Sequence, residues 1–222
     1  MHTEPPNKHI VINTSLGHPP TTSIKIIKKK CPDSTILSQV PLYLARYHHP
    51  SAANPVVVIG YDLFIAGLPL DGDSVVAMGF ACAPYPQYRL PGWHRGSLAI
   101  HSDDGRRYCN DGYGGIEFTR PFSQGDQLTL ALVMRWVTAP GGVGMVQSEV
   151  IFIRDGRREG GWMVREEVEP GRLDPKIGLL GERDIFAAVG VTGGKGVEVV
   201  VRVMAREKAW LLLLGTPAST VC

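Results

Sequence analysis

The 222-residue sequence lacks what several protein classes require. Its segment MHTEPPNKHIVINTS places prolines and charges where a secretory signal needs an apolar stretch, so secretion is not expected. Without secretion the glycosylation pattern at Asn13-Thr14-Ser15 stays idle. The longest purely apolar run, Ala209 to Leu214, is far too short to span a bilayer, and no membrane partner is expected. The four cysteines, Cys31, Cys82, Cys109 and Cys222, include no C-x-x-C pair. That leaves no zinc pattern and points to free thiols in a reducing compartment, cytoplasmic or nuclear. A formal net charge of +2, with Lys28-Lys29-Lys30 as the one basic run, gives no footprint for nucleic acid. Nor does any segment of ten or more residues carry a helical period, so little helix is expected.

What the chain has in quantity is punctuation. Its 26 glycines and 17 prolines are spread throughout and separate short apolar segments, the pattern of an all-β sandwich or barrel. From Asp126 to Trp136 the residues Leu128, Leu130, Leu132, Met134 and Trp136 share one face. From Gly196 to Met204, four alternate valines oppose Glu198 and Arg202. Ser74 to Cys82 is apolar on both faces, which predicts a central strand covered on both sides. Further strands are expected at Val56 to Ala66, Ser97 to His101, Val146 to Arg154 and Ile185 to Val191. Asp104-Gly105 and Asp155-Gly156 each stand between neighbouring segments of this kind and supply the positive φ of a tight hairpin. Leu90-Pro91-Gly92-Trp93 fits a type II turn. The proline-rich residues 1–54 are expected to add edge strands and loops, residues 55–206 to form the main domain, and residues 207–222 a C-terminal strand and tail.

The stretch from Arg89 to Gly115 is dense in chemistry-bearing side chains, and each reading can be tested by spacing. Ser97 and His101 would be a nucleophile and its base, with Asp103 or Asp104 as orienter. Four residues along a strand put them roughly 13 Å apart, whereas a working pair needs about 3 Å. No G-x-S-x-G elbow surrounds the serine. Asp103, Asp104, Asn110 and Asp111 offer hard oxygens for calcium, but their spacing is not that of an EF-hand loop, and aspartate before glycine serves a turn. His94 and His101 find no third metal ligand by spacing, and the adjacent His48-His49 point to opposite faces if extended. Thr192-Gly193-Gly194-Lys195-Gly196 precedes a valine-rich strand rather than the helix a phosphate loop needs. No catalytic residue, metal or cofactor is expected.

From about residue 55 to 204 the order of motifs resembles a SPRY (B30.2) domain. The likeness is nearest to the Ran-binding-protein-M type and to the fungal adaptors of HECT ubiquitin ligases. Tyr61-Asp62-Leu63-Phe64-Ile65 and Val76-Ala77-Met78-Gly79-Phe80-Ala81 stand at two of the family's strands. Tyr85-Pro86-Gln87-Tyr88-Arg89-Leu90-Pro91-Gly92-Trp93-His94 is similar to its Y-P-x-x-R-L-P-G-W signature. The Ser97–Tyr108 hairpin, Pro121-Phe122, Gly125-Asp126, Ile151 to Gly156 and Phe186 to Gly190 follow in the family's order.

The resemblance implies a bent antiparallel β-sandwich with long loops that binds a protein or short peptide and catalyses nothing. It further implies a substrate-recognition or scaffold role in a larger, ubiquitin-ligase-like complex. Contacts are implied in the loop from Asn110 to Phe118, with Tyr113 as aromatic anchor and Phe118 beside it, and at Thr192 and Gly193. Tyr85, Tyr88 and Arg89 form a second candidate loop. Val137 to Gln147 and Gly160 to Gly181 are longer than the family's connections; they are expected to be loops that form or block the binding surface. Pro5-Pro6-Asn7-Lys8 and Pro19-Pro20-Thr21-Thr22 lack the tyrosine with which the fungal adaptors recruit their ligase. A lectin-like carbohydrate-binding sandwich is the alternative, with a hydrolase built on Ser97 and His101 a third reading. Nothing in the sequence sets the oligomeric state.

Overall fold

A computed structural model describes residues 5–17, 20–139, 141–167 and 178–204. Twelve strands lie among them: β1 (Ile10–Ser15), β2 (Thr21–Ile26), β3 (Cys31–Leu37), β4 (Val56–Gly67), β5 (Val75–Cys82), β6 (Ser97–His101), β7 (Arg107–Cys109), β8 (Gln127–Thr138), β9 (Gly144–Arg154), β10 (Arg157–Met163), β11 (Ile185–Gly193) and β12 (Glu198–Val203). Described helix is confined to α1 (Ala45–His48) and one 3-10 turn, Val164–Glu167. The strands make two antiparallel sheets. One has seven strands in the order β1-β2-β12-β4-β8-β9-β10; the other has five, β3-β11-β5-β6-β7.

The core lies between the sheets. Leu128, Leu130, Leu132 and Met134 of β8 face Met78, Phe80, Leu98 and Ile100 of the small sheet, all fully buried. Tyr61 crosses this layer from β4. Its ring meets Phe80 edge-on at 5.8 Å, and its hydroxyl lies 2.9 Å from both the Gly79 and Ala188 carbonyls while accepting the Gly79 N–H at 2.8 Å. The large sheet is thereby hydrogen-bonded into the seam between β5 and β11. Residues 5–54 contribute β1 and β2 to one sheet and β3 to the edge of the other.

The hairpins follow their turn residues. Asp155 and Gly156 both take positive φ, 50° and 75°, between β9 and β10. Gly105 (φ 68°) turns the chain between β6 and β7. The expectation of a long loop at Val137 to Gln147 is corrected. Thr138 pairs with Gly144, so the β8–β9 ladder runs almost to the turn, and the Trp136 ring occupies the space a side chain at position 144 would need. Gly160 to Met163 likewise belongs to β10 rather than to a loop. Residues 168–177 and the expected strand and tail at 207–222 lie outside the described residues.

Candidate functional site

After β5 the chain does not cross to the other sheet. Residues 83–96 fold back over the outer face of the small sheet, which is why β5 is apolar on both sides. Pro91 and Leu90 press on Gly190 of β11, where a β-carbon would come within 2.5 Å of Pro91 Cδ. Gly92 accepts the positive φ of its turn at 93°. Side chains of the sheet then hold the segment by its backbone. Ser97 Oγ accepts the Gly92 N–H at 2.8 Å and donates to the His94 carbonyl at 2.6 Å. His101 Nε2 lies 2.9 Å from the Pro91 carbonyl, and Thr35 donates through its N–H to Gln87 and through its hydroxyl to Arg89. Burial pushes the His101 pKa below its ordinary value, which the Pro91 carbonyl and Asp103, Asp104 and Asp33 partly offset. Ser97 and His101 therefore act on the folded-back segment rather than on each other.

This geometry separates the three residues of the loop. Tyr85 is buried against Ala81, Ala188 and Leu37, and its hydroxyl donates to the Leu90 carbonyl at 2.7 Å. It supports the loop from beneath. Tyr88 and Arg89 project outward, Tyr88 at 75% exposure.

Tyr113 stands at the tip of the loop that follows β7. Asp111 fixes it: one carboxylate oxygen accepts the Tyr113 N–H at 2.8 Å and the other the Gly115 N–H at 3.0 Å. The Asp111 N–H donates to the Gly92 carbonyl, tying this loop to the folded-back segment, and Arg106 donates to the Gly114 carbonyl at 2.8 Å. The tip is braced while the Tyr113 side chain is fully exposed. Asp104, like Asp111 a member of the suggested calcium ligand set, is engaged in the same way. It accepts the Tyr108 hydroxyl at 2.7 Å and the Arg106 N–H at 2.8 Å. Among the described residues no cluster of three histidines, cysteines or acids is arranged to hold a metal.

From Tyr113 the chain runs across the open side of the sandwich. Ile116 bridges to Arg107 on β7, and Phe118 packs half-buried on Phe152 and Trp162 with the Arg107 guanidinium 5.9 Å above its ring. Phe118 thus joins the two sheet edges as well as lying beside the loop. Next to it, Arg154 is 2% exposed: it donates to Asp126 at 2.8 Å and to the carbonyls of Arg120 and Pro121, and lies 3.1 Å from Glu159. An open groove of about 610 Å³, lined by Asp104, Arg106, Glu117, Phe118, Thr119 and Arg120, flanks the Tyr113 loop.

Thr192 and Gly193 are elsewhere. Thr192 pairs with Val75 at the start of β5, whereas Tyr113 follows Cys109, which pairs with the start of β6. The two candidates lie at opposite ends of the small sheet. Gly193 (φ 98°) passes so close to Asp73 and Ser74 that a β-carbon would sit 2.5 Å from their backbone. The Ser74 hydroxyl accepts the Gly194 N–H and donates to Asp71. Sequence reading misses this Asp71–Ser74 brace, although Asp-Gly-Asp-Ser is a run of turn formers.

Two antiparallel sheets packed around one core define a β-sandwich, with a surface segment held by side chains and an aromatic presented on a fixed loop. In sequence the chain is similar to SPRY-domain proteins, and in fold to solved SPRY domains. It is 29% identical over 144 residues to Protein ssh4 of Sclerotinia sclerotiorum, covering 62% of this chain and 23% of that one. It is 27% identical over 144 residues to SPRY domain-containing protein C285.10c of Schizosaccharomyces pombe, covering 64% and 32%. The crystal structure of a human SPRY domain superposes with a TM-score of 0.54 at 18% identity, over 88% of this chain and 95% of that one. No family model matches the chain. The chain spans about a quarter to a third of the length of these curated relatives. No helix among the described residues is long and apolar enough to cross a membrane.

Proposed function

We propose that this domain binds a protein or short peptide through the Tyr113 loop and catalyses no reaction. The observation that carries the reading is the pairing of a fully exposed aromatic with a backbone fixed by Asp111 and Arg106. A tyrosine offers large contact area with few rotors to freeze, and a fixed loop has already met most of its ordering cost. The groove beside it, between Arg106 and Arg120, receives the flanking residues of the ligand. Tyr88 with Arg89, and Thr192 with Gly193, are secondary contact patches. The partner is neither nucleic acid nor membrane, and the compartment is the cytoplasm or nucleus. In this reading the domain is the substrate-recognition or scaffold component of a larger, ubiquitin-ligase-like complex.

The test is affinity capture from native lysate with the wild type, Tyr113→Ala and Thr192→Arg, all shown to be folded. Because the two sites lie at opposite ends of the small sheet, the variants report separately. Loss of specific partners with Tyr113→Ala supports the reading. Recovery of the same partners by wild type and Tyr113→Ala overturns it.

A further inference from the structure

The described residues hold six lysines, Lys8, Lys25, Lys28, Lys29, Lys30 and Lys195, and the fold gathers all of them at one end of the sandwich. The Ile27 N–H donates to the His9 carbonyl at 2.9 Å, which sets residues 8–9 beside the Lys28-Lys29-Lys30 run. Past that run, the Cys31 carbonyl accepts the Thr192 hydroxyl at 3.1 Å. Lys195 lies in the connection from β11 to β12, where the Gly196 N–H points to the Ile26 carbonyl at 3.4 Å. The β4–β5 loop closes the group: a β-carbon at Gly196 would stand 3.3 Å from Pro69 Cγ. Lys25 is paired with Glu198 at 2.6 Å. The other five lysines are exposed and form no ion pair among the described residues, and residues 7–9, 27–30, 68–74 and 194–197 contain no arginine. Leu70 stands in this setting fully exposed. Its loop is fixed by one Asp71 carboxylate oxygen, which accepts the N–H groups of Asp73 at 3.1 Å and Ser74 at 2.9 Å. Ile27 is a second exposed apolar side chain here.

We propose that this end docks an acidic segment of a partner protein, with its carboxylates among the lysines and an apolar side chain against Leu70 and Ile27. Charge complementarity selects the occupant. The five lysines are unneutralised, whereas Asp71 is engaged by Ser74 and Glu198 by Lys25. Such a field steers and orients an oppositely charged partner. Lysine is a mobile point charge, without the planar fork of arginine that suits phosphate and nucleic acid. Asp33 and Asp73 interrupt the lysines; a continuous anionic bilayer would be repelled by them, while a short segment can straddle them. The surface extends the Thr192–Gly193 patch and does not rest on the Tyr113 loop, which lies at the opposite end of the small sheet.

The test is fluorescence anisotropy of a labelled peptide, Glu-Glu-Leu-Glu-Glu-Leu-Glu-Glu, titrated with the full chain. The wild type should bind it, with affinity falling severalfold from low to physiological salt as the charges are screened. Lys28→Glu/Lys29→Glu should weaken binding about tenfold or more, Leu70→Ser severalfold, and Tyr113→Ala not at all. All four positions are exposed, so the variants keep the fold. No binding by the wild type, or unchanged binding by the lysine or the Leu70 variant, overturns the proposal. Loss of the probe with Tyr113→Ala also overturns it, by placing the peptide at the other end. Phosphatidylserine vesicles that sediment the wild type but not the lysine variant overturn it in favour of a membrane. Since Tyr113→Ala keeps this probe and loses the partners of its own loop, failure at one end is distinguishable from failure at the other.

Discussion

Tyr61→Phe removes one oxygen from the middle of the sandwich. The hydroxyl accepts the Gly79 N–H and shares its proton between the Gly79 and Ala188 carbonyls. Phenylalanine fills the same space but leaves the Gly79 N–H without a partner, buried in a layer where the whole Tyr61 side chain is closed to solvent. A lost bond together with a stranded buried donor costs about 2–3 kcal/mol. For a chain of this size that lowers Tm by about 5–10 °C. Tyr43→Phe is the control: its hydroxyl makes one bond, donating to the Gly181 carbonyl at 2.9 Å, and its loss should cost only about 1 kcal/mol. Urea titration followed by tryptophan fluorescence measures both. A Tyr61→Phe effect no larger than that of Tyr43→Phe would refute the role assigned to the β5–β11 seam. Alkali gives a second readout. Burial holds the Tyr61 phenol far above its ordinary pKa, so the unfolded chain ionises first; stability is full below about pH 10 and falls above it. Tyr61→Phe should lose less stability than the wild type over that range.

Three further outcomes follow from single contacts. Arg154→Met keeps the stem packing but removes the buried one of the two guanidinium partners of Asp126, leaving Arg120 at 3.1 Å, and should cost about 2–3 kcal/mol in urea; Arg154→Lys, lacking the planar fork, should recover only a fraction of it. His101 titrates below its ordinary value because it is buried, so as pH falls through about 6.5 the unfolded chain takes up a proton that the folded chain refuses. Stability should be full above that pH and decline below it, and His101→Gln should flatten the slope between about pH 7.5 and 5; an unchanged slope assigns the effect to another group. Tyr113→Ala should leave Tm within about 1 °C of wild type, as its exposed ring adds little to folding.

Strands with clear alternation are legible in the sequence. Ser97–His101 can be read to the residue, and β5 is expected to be covered on both faces, as it is. What covers it is not legible, because Leu90-Pro91-Gly92-Trp93 reads locally as a turn, and only the fold brings it onto Gly190. β10 is recognisable only as the far arm of the Asp155-Gly156 hairpin: Arg-Arg-Glu-Gly-Gly carries no period, and its partner β9 specifies it. The segment from Val137 to Gln147 reads as a loop because glycines obscure a ladder that the Trp136 ring closes over Gly144. At the candidate site Tyr113, Tyr88 and Arg89 can be read as loop residues. The burial of Tyr85 depends on Ala188, far along the chain, and the distance between Thr192 and Tyr113 depends on strand order. Neither is a local property.

The most direct measurement of the central claim is a calorimetric titration of a captured partner's minimal peptide into wild type and Tyr113→Ala. The expected result is binding weakened about 30-fold or more in the variant, the loss of an aromatic anchor worth about 2 kcal/mol, with folding stability unchanged. Equal affinity in the two proteins would contradict the assignment of the Tyr113 loop as the binding site.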